Sequence, residues 1–305
     1  MHAKRLRKIT ARWQLYLFLL LPVAYILLFS YYPMLGLQIA FKKMTPALGI
    51  WGSPWVGLAH FEKFFSSYMF ERVLTNTVKI SAYSLIAGFP MPILLALMIN
   101  AMLNLRYKRF IQTITYIPHF ISTVIMVGLL MQMFNTRIGI IPIAFKAIFH
   151  REMPDLFALP EAFSHLYVWS GIWQGLGWNS IIYISALSGI DPELHEAAQI
   201  DGASRVQRIT HIDFPGILPT AIILLILSAG NIMNVGFEKI FLMQNTINQR
   251  ASEVISTYVY KVGIASASVD YSSATAIGLF NSVINFIMII IINAISKKVS
   301  STSLW

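Results

Sequence analysis

Few side chains in this 305-residue chain could do covalent chemistry, and their spacing argues against it. There is no cysteine, which removes thiolate nucleophiles, disulfides and thiolate metal sites. The seven histidines are scattered, without His-Glu-x-x-His or a comparable ligand spacing. No Gly-x-x-x-x-Gly-Lys-Ser/Thr loop is present to cradle a phosphate, so any ATP must be bound by another chain. What remains is hydrogen bonding and stacking. Trp173, Gln174 and Asn179, with Asn281 and Asn285 further on, place rings and amides inside otherwise apolar stretches. Rings against C–H faces and amides against hydroxyls suit a sugar path. Buried amides in a bilayer either bond helix to helix or line a wet path, and the sequence leaves both open.

The spacing carries further expectations. Trp173 and Asn179 sit six apart, nearly two turns, and are expected on one broad side of a helix. Asn281 and Asn285 form a matching stripe on another helix, and Asn231 and Asn234 close a third. If the Trp173/Asn179 and Asn281/Asn285 faces meet, they make a channel wall without fixed charge, suited to a neutral or weakly charged sugar. Gly171 and Gly175 form a Gly-x-x-x-Gly, which lets a second helix approach closely. Glu238 is expected at the outer mouth of the fifth span, where the sequence leaves gating and simple solvation both open.

A second constellation has a different use. Residues 191–219 read DPELHEAAQIDGASRVQRITHIDFPGILP, a polar stretch amid greasy ones. Asp191 can cap a helix, Pro192 fits its first position, and Glu193 favours the positive end of its dipole. Asp201-Gly202 breaks that helix at a turn that wants a left-handed residue. A second short helix follows from Ala203, and Pro215 and Pro219 mark the return into lipid. Ala197-Ala198 leaves room for close approach by another surface, and Glu196 supplies a charge beside it.

These residues must be positioned by elements that suit a membrane. The chain is 56% hydrophobic and 12% charged, with a mean hydropathy of +0.65, against roughly 25% charged in soluble domains. A charge at mid-bilayer costs at least about 2.5–3.5 kcal/mol, so the deficit is what a lipid-facing surface requires. Windows of about 20 apolar residues predict six spans, at about 13–32, 74–102, 112–134, 165–187, 216–236 and 273–295, with a loop over 191–214. Pro90, Pro92 and Pro118 interrupt the second and third. The net charge of +10 reads as positive-inside bias rather than nucleic-acid binding. With the N-terminus in the cytoplasm, the inner segments hold the denser Lys and Arg, which places both termini and the 191–214 loop inside.

Glu196-Ala197-Ala198, Asp201-Gly202-Ala203, Ile212, Pro215 and Pro219 resemble the EAA loop of bacterial ABC importer permeases. Phe214-Pro215 stands where Leu-Pro is usual, and Ile209 where an aromatic is common. Tyr116 to Phe120, Trp173 to Asn179, Val235 to Ile240 and the terminal Ser303-Leu304-Trp305 are similar to the polysaccharide-type permeases of the carbohydrate-uptake branch. The resemblance implies an all-α integral membrane protein with six transmembrane helices, type I ABC importer permease-like, with a cytoplasmic coupling-helix loop. It implies a multi-pass subunit of the bacterial cytoplasmic membrane that moves oligosaccharides and is not itself an enzyme. Glu196, Ala197, Ala198, Asp201, Gly202 and Ala203 would then couple it to an ATPase. The implied partners are a second permease, two ATPase subunits or a homodimeric ATPase, and an extracytoplasmic sugar-binding protein. ATP and Mg would sit on the ATPase, and this chain would bind no cofactor. Two other classes fit less well. A secondary transporter should carry intramembrane carboxylates, yet all thirteen Asp and Glu fall outside the expected spans. An intramembrane enzyme needs a nucleophile with a base, or a metal cluster, and neither assembles.

Overall fold

The computed structural model describes residues 13–299, and its elements are helical. Among the described residues the only strand-like pairing is one antiparallel bridge between Lys42 and Trp55. The main helices in chain order are α1 (Trp13–Phe41), α2 (Ala59–Phe65), α3 (Tyr68–Gly88), α4 (Pro90–Asn100), α5 (Leu105–Tyr116) and α6 (Thr123–Met133). They continue with α7 (Ile140–Phe149), α8 (Pro160–Ser188), α9 (Pro192–Ile200), α10 (Arg205–Gly230), α11 (Phe237–Met243) and α12 (Tyr271–Val299). The terminal Ser303-Leu304-Trp305 lies outside the described residues.

Four stretches are long and apolar enough to cross a bilayer: α1, α3 with α4, α10 and α12. The pair α5 and α6 counts as a fifth only if a bend of 100° between them is accepted within one span. The fourth expected window, 165–187, falls in α8, which has ample length at 29 residues but is diluted by Ser, Gln, Asn and His. Six is therefore an approximate count. The boundaries also move, for local reasons. The first span runs beyond the expected 13–32, because Pro33 sits at the start of a 3-10 segment, Tyr32–Phe41, where its missing N–H breaks no bond. Pro90 opens α4 after a break at Gly88–Phe89. Pro118 lies in a 3-10 turn, Ile117–Phe120, just ahead of the sharp bend. The second helix of the polar loop is not separate: it runs through a π turn, Ile209–Asp213, straight into the fifth span, which ends at Gly230 rather than Gly236.

The described chain falls into two compact units, 13–66 with 259–279 and 67–258 with 280–299. In the first, Lys42 is buried, and its ammonium donates to the carbonyl oxygens of Ile50 (2.9 Å) and Trp51 (3.4 Å) and lies 4.9 Å from the Trp55 ring centroid. Asp270 caps the start of α12, accepting from the Ser273 N–H (2.9 Å) and hydroxyl (2.7 Å), with Lys63 3.5 Å away.

The second unit has two apolar cores. Ile80 of α3, Met126 of α6, Phe163 and Leu166 of α8, and Ile240 and Met243 of α11 make one. Ile93, Ala96 and Leu97 of α4, Tyr183 and Leu187 of α8, and Ile217 and Ala221 of α10 make the other. Lipid tails are as apolar as leucine, so shape and buried hydrogen bonds, more than burial itself, hold such helices together. The tightest fit is at Gly177 of α8, where any Cβ would strike the Thr115 backbone of α5. The Gly171 and Gly175 pair does not serve as the contact seam within this chain: a Cβ there would meet the Lys239 ammonium (3.0 Å) and the Asn179 amide (3.1 Å).

Candidate functional site

Along α8, between the residues that join the two cores, the second unit holds a cavity of about 710 Å³. Its lining includes Ser81, Ser84, Gln174, Trp178, Asn179, Ser228, Asn231, Asn234 and Lys239. Sites for small molecules are of this size, mostly apolar with a few placed polar groups. The Ser81 and Ser84 hydroxyls are buried without a partner, and Asn179 makes no hydrogen bond among the described residues. The two serine hydroxyls are available to a polar occupant, because a buried group left unpaired costs about 1–3 kcal/mol, and the exposed Asn179 amide is free to join them. Trp178 lies parallel to His119 at 4.4 Å, which fixes the ring in place.

The sequence-derived path residues divide. Gln174 and Asn179 line the cavity, and Gln174 also donates to the Ile121 carbonyl (2.8 Å) at the bend before α6. Trp173 does not join them. It lines a second, apolar hollow of about 420 Å³ with Trp169, Leu130 and Phe134. Six residues at about 100° each leave two side chains roughly 120° apart, so the expectation of a shared side was a misreading of helical period. Asn281 and Asn285 do not line the cavity directly. Both donate to the Asn234 side-chain oxygen (3.1 and 3.2 Å), and the Asn285 oxygen accepts from the Met233 N–H (3.0 Å). Asn285 of α12 therefore bonds to the turn that follows α10 and sets where the cavity-lining Asn234 sits.

The wall also carries an ionisable side chain that the sequence reading did not place there. Among the described lining residues Lys239 alone is charged. It is 9% exposed, donates to the Tyr167 carbonyl (2.7 Å) and stands 4.6 Å from the Tyr167 ring centroid. The Tyr167 hydroxyl in turn accepts from the Gly236 N–H (3.1 Å), which ties α11 to α8 at two points. Helix α11 lies beyond the spanning helix α10, and burial pushes the lysine down to about 7. A signal was available: Lys239, Ile240 and Met243 fall at i, i+1 and i+4, one helical face, and the latter two are core.

The polar loop matches its sequence reading closely. Asp191 accepts from the Glu193 N–H (3.0 Å), and Gly202 has φ +78°, the left-handed value a side chain disfavours. Ser204 and Gln207 form a reciprocal capping box that opens α10. Glu196 and Ala197 are exposed and Ala198 half-buried, as are Asp201 and Gly202 exposed and Ala203 half-buried. Ile200 is 86% exposed and Val206 70%, so the hairpin leaves apolar side chains uncovered beside Glu196. His195 of α9 lies 3.3 Å from Asp213, a 3%-exposed residue of α10 that also accepts from Asn100 of α4 (3.2 Å). The hairpin is thereby anchored to the helix whose far end, at Ser228, lines the cavity.

Comparison with known proteins decides the family. Residues 88–301 match the family described as binding-protein-dependent transport system inner membrane component. The chain belongs to this family. The permease is 40% identical over 291 residues to the polygalacturonan/rhamnogalacturonan transport system permease protein YteP of Bacillus subtilis, covering 95% of this chain and 90% of that one. It also matches the crystal structure of a bacterial ABC transporter involved in the import of the acidic polysaccharide alginate. That match has a TM-score of 0.89 at 40% identity, over 97% of this chain and 99% of the other. The same transporter in complex with an alginate pentasaccharide-bound periplasmic protein gives a TM-score of 0.89 at 39% identity, over 98% and 99%. The permease is thus a membrane component of a binding-protein-dependent ABC transport system, all-helical and of the type I importer fold.

Proposed function

We propose that this chain is one permease subunit of an ATP-driven importer for oligosaccharides released from polysaccharides. A second permease completes the path. An extracytoplasmic binding protein delivers the sugar, and an ATPase pair that holds ATP and Mg docks on α9. Both termini lie in the cytoplasm, on the side of the hairpin. The observation that carries this reading is the joining of two sites by one helix. Asp213 fixes the exposed hairpin to α10 at one end, and Ser228 of the same helix lines the hydrogen-bonding cavity at the other. A push on α9 therefore has a rigid route to the groups that would hold a sugar. The relatives that handle polygalacturonan, rhamnogalacturonan and alginate support the choice of cargo.

The test is uncoupling. Glu196→Lys reverses a charge on the exposed face of α9, and Gly202→Pro forbids the positive φ of the turn. In reconstituted complexes, either change should reduce sugar-stimulated ATP hydrolysis at least tenfold while the sugar-loaded binding protein still binds. Wild-type stimulation in both variants would reduce the hairpin to a connector and remove the proposal's main support.

A further inference from the structure

A buried ammonium normally has a carboxylate or several acceptors, because stripping water from an ion costs several kcal/mol even after relaxation. Lys239 has neither. Among the described residues no carboxylate lies within ion-pair distance of its nitrogen, and one carbonyl oxygen and one ring face are its contacts. Lysine offers three donors, so two are left. Its neighbour Glu238 is exposed and does not line the cavity. Gly171 is what leaves space for the ammonium: a Cβ there would come within 3.0 Å of it. The charge thus lies against the cavity wall formed by α8, in the same lining as Asn179, Asn231, Asn234 and the two unpaired serines.

Resting on the importer reading above, we infer that Lys239 is the specificity-determining cation of the path, pairing with a carboxylate of an acidic oligosaccharide as it passes the amide and serine groups. A carboxylate supplies the acceptor that the ammonium lacks, in a charge-assisted bond stronger than the neutral ones around it. Burial already weakens the lysine's hold on its proton, and an arriving anion restores the charged form. The single cation also limits retention. One ion pair at a time, released as the chain advances, slows an anionic sugar without trapping it. A neutral sugar of the same length would meet only the amides and hydroxyls.

The experiment uses the assembled importer in proteoliposomes with one binding protein throughout. The probes are alginate and polygalacturonan pentasaccharides and their carboxyl-reduced counterparts, each at concentrations that saturate the binding protein. The quantity read is the ratio of acidic to carboxyl-reduced uptake. Wild type should favour the acidic form, and Lys239→Met, similar in length but uncharged, should lower that ratio at least tenfold. A purely structural role for Lys239 would slow both sugars together and leave the ratio unchanged, which would overturn the inference. Lys239→Arg keeps the charge and should keep the preference, and a loss of preference there equal to that of Lys239→Met would also overturn it. Wild-type uptake confined to neutral oligosaccharides sinks the inference while the importer reading stands. Uptake of no oligosaccharide, with ATP-driven import of some other solute, sinks both.

Discussion

The two units each bury a lysine, and the two lysines are satisfied very differently. Lys42, 3% exposed, donates to two carbonyl oxygens and sits over the Trp55 ring. Lys239, 9% exposed, donates to one carbonyl and faces a cavity. Both side chains are buried, so burial alone does not separate a structural charge from a functional one. The difference lies in leftover hydrogen-bonding capacity and in what space adjoins it. The same contrast recurs among the amides. Asn285 has its oxygen and its nitrogen bonded, whereas Asn179 has neither.

The contrast can be broken by mutation. The largest effect on stability is expected at Lys42. Lys42→Met orphans two carbonyls and a ring contact, which should cost about 3 kcal/mol. The purified permease should melt clearly lower and express poorly. Lys239→Met, in the same assay, should change stability by less than about 1 kcal/mol, because Tyr167 belongs to a helix that already uses its carbonyl. Equal losses at the two positions would erase the distinction. Next comes Asn285→Ala, which leaves the buried Met233 N–H unpaired and should cost about 1–3 kcal/mol, seen as reduced complex yield. Asn179→Ala should leave yield intact and lower uptake alone.

The smallest expected effect is at Asp270, in the first unit. Burial works against its ionised form, but the Ser273 N–H and hydroxyl, Lys63 and His60 outweigh it and hold the carboxyl below its usual range. A depressed acid stabilises the fold above its unfolded pKa, and that contribution is lost as pH falls through the folded one. Asn also caps helices well, so Asp270→Asn isolates the charge. The variant should melt slightly lower at neutral pH, by under about 1 kcal/mol, with Lys63 itself largely exposed. That gap should close as pH drops from the ordinary carboxylate range to below it. A gap that stays constant over that interval would assign the cap to shape rather than charge.

Sequence and structure agree best where the determinants are local. The cap at Asp191 and the φ +78° of Gly202 depend on neighbours within a few residues and were legible, whereas the fusion of the second loop helix with the fifth span was not. The span windows were legible as composition, but their ends were not: the first runs on past Pro33 to Phe41, and the fifth starts within the loop at Arg205 and stops at Gly230. The cavity was half legible. Gln174 and Asn179 are there, while Trp173 turned to another hollow through a miscounted period. Lys239 was the hardest to see, because its burial comes from α8, some seventy positions away in the chain, and only its spacing to Ile240 and Met243 pointed to a buried face.

One consequence of the Asp213 anchor is mechanical advantage. From Asp213 to Ser228, α10 is a rod about 22 Å long at 1.5 Å per residue. A tilt of about 3° imposed at the hairpin end would carry Ser228 sideways by roughly 1 Å, enough to break or make a hydrogen bond, whose useful range is about half an ångström wide. The lever arm is therefore matched to the grip it would have to release: a small stroke outside the bilayer suffices to loosen a sugar inside it.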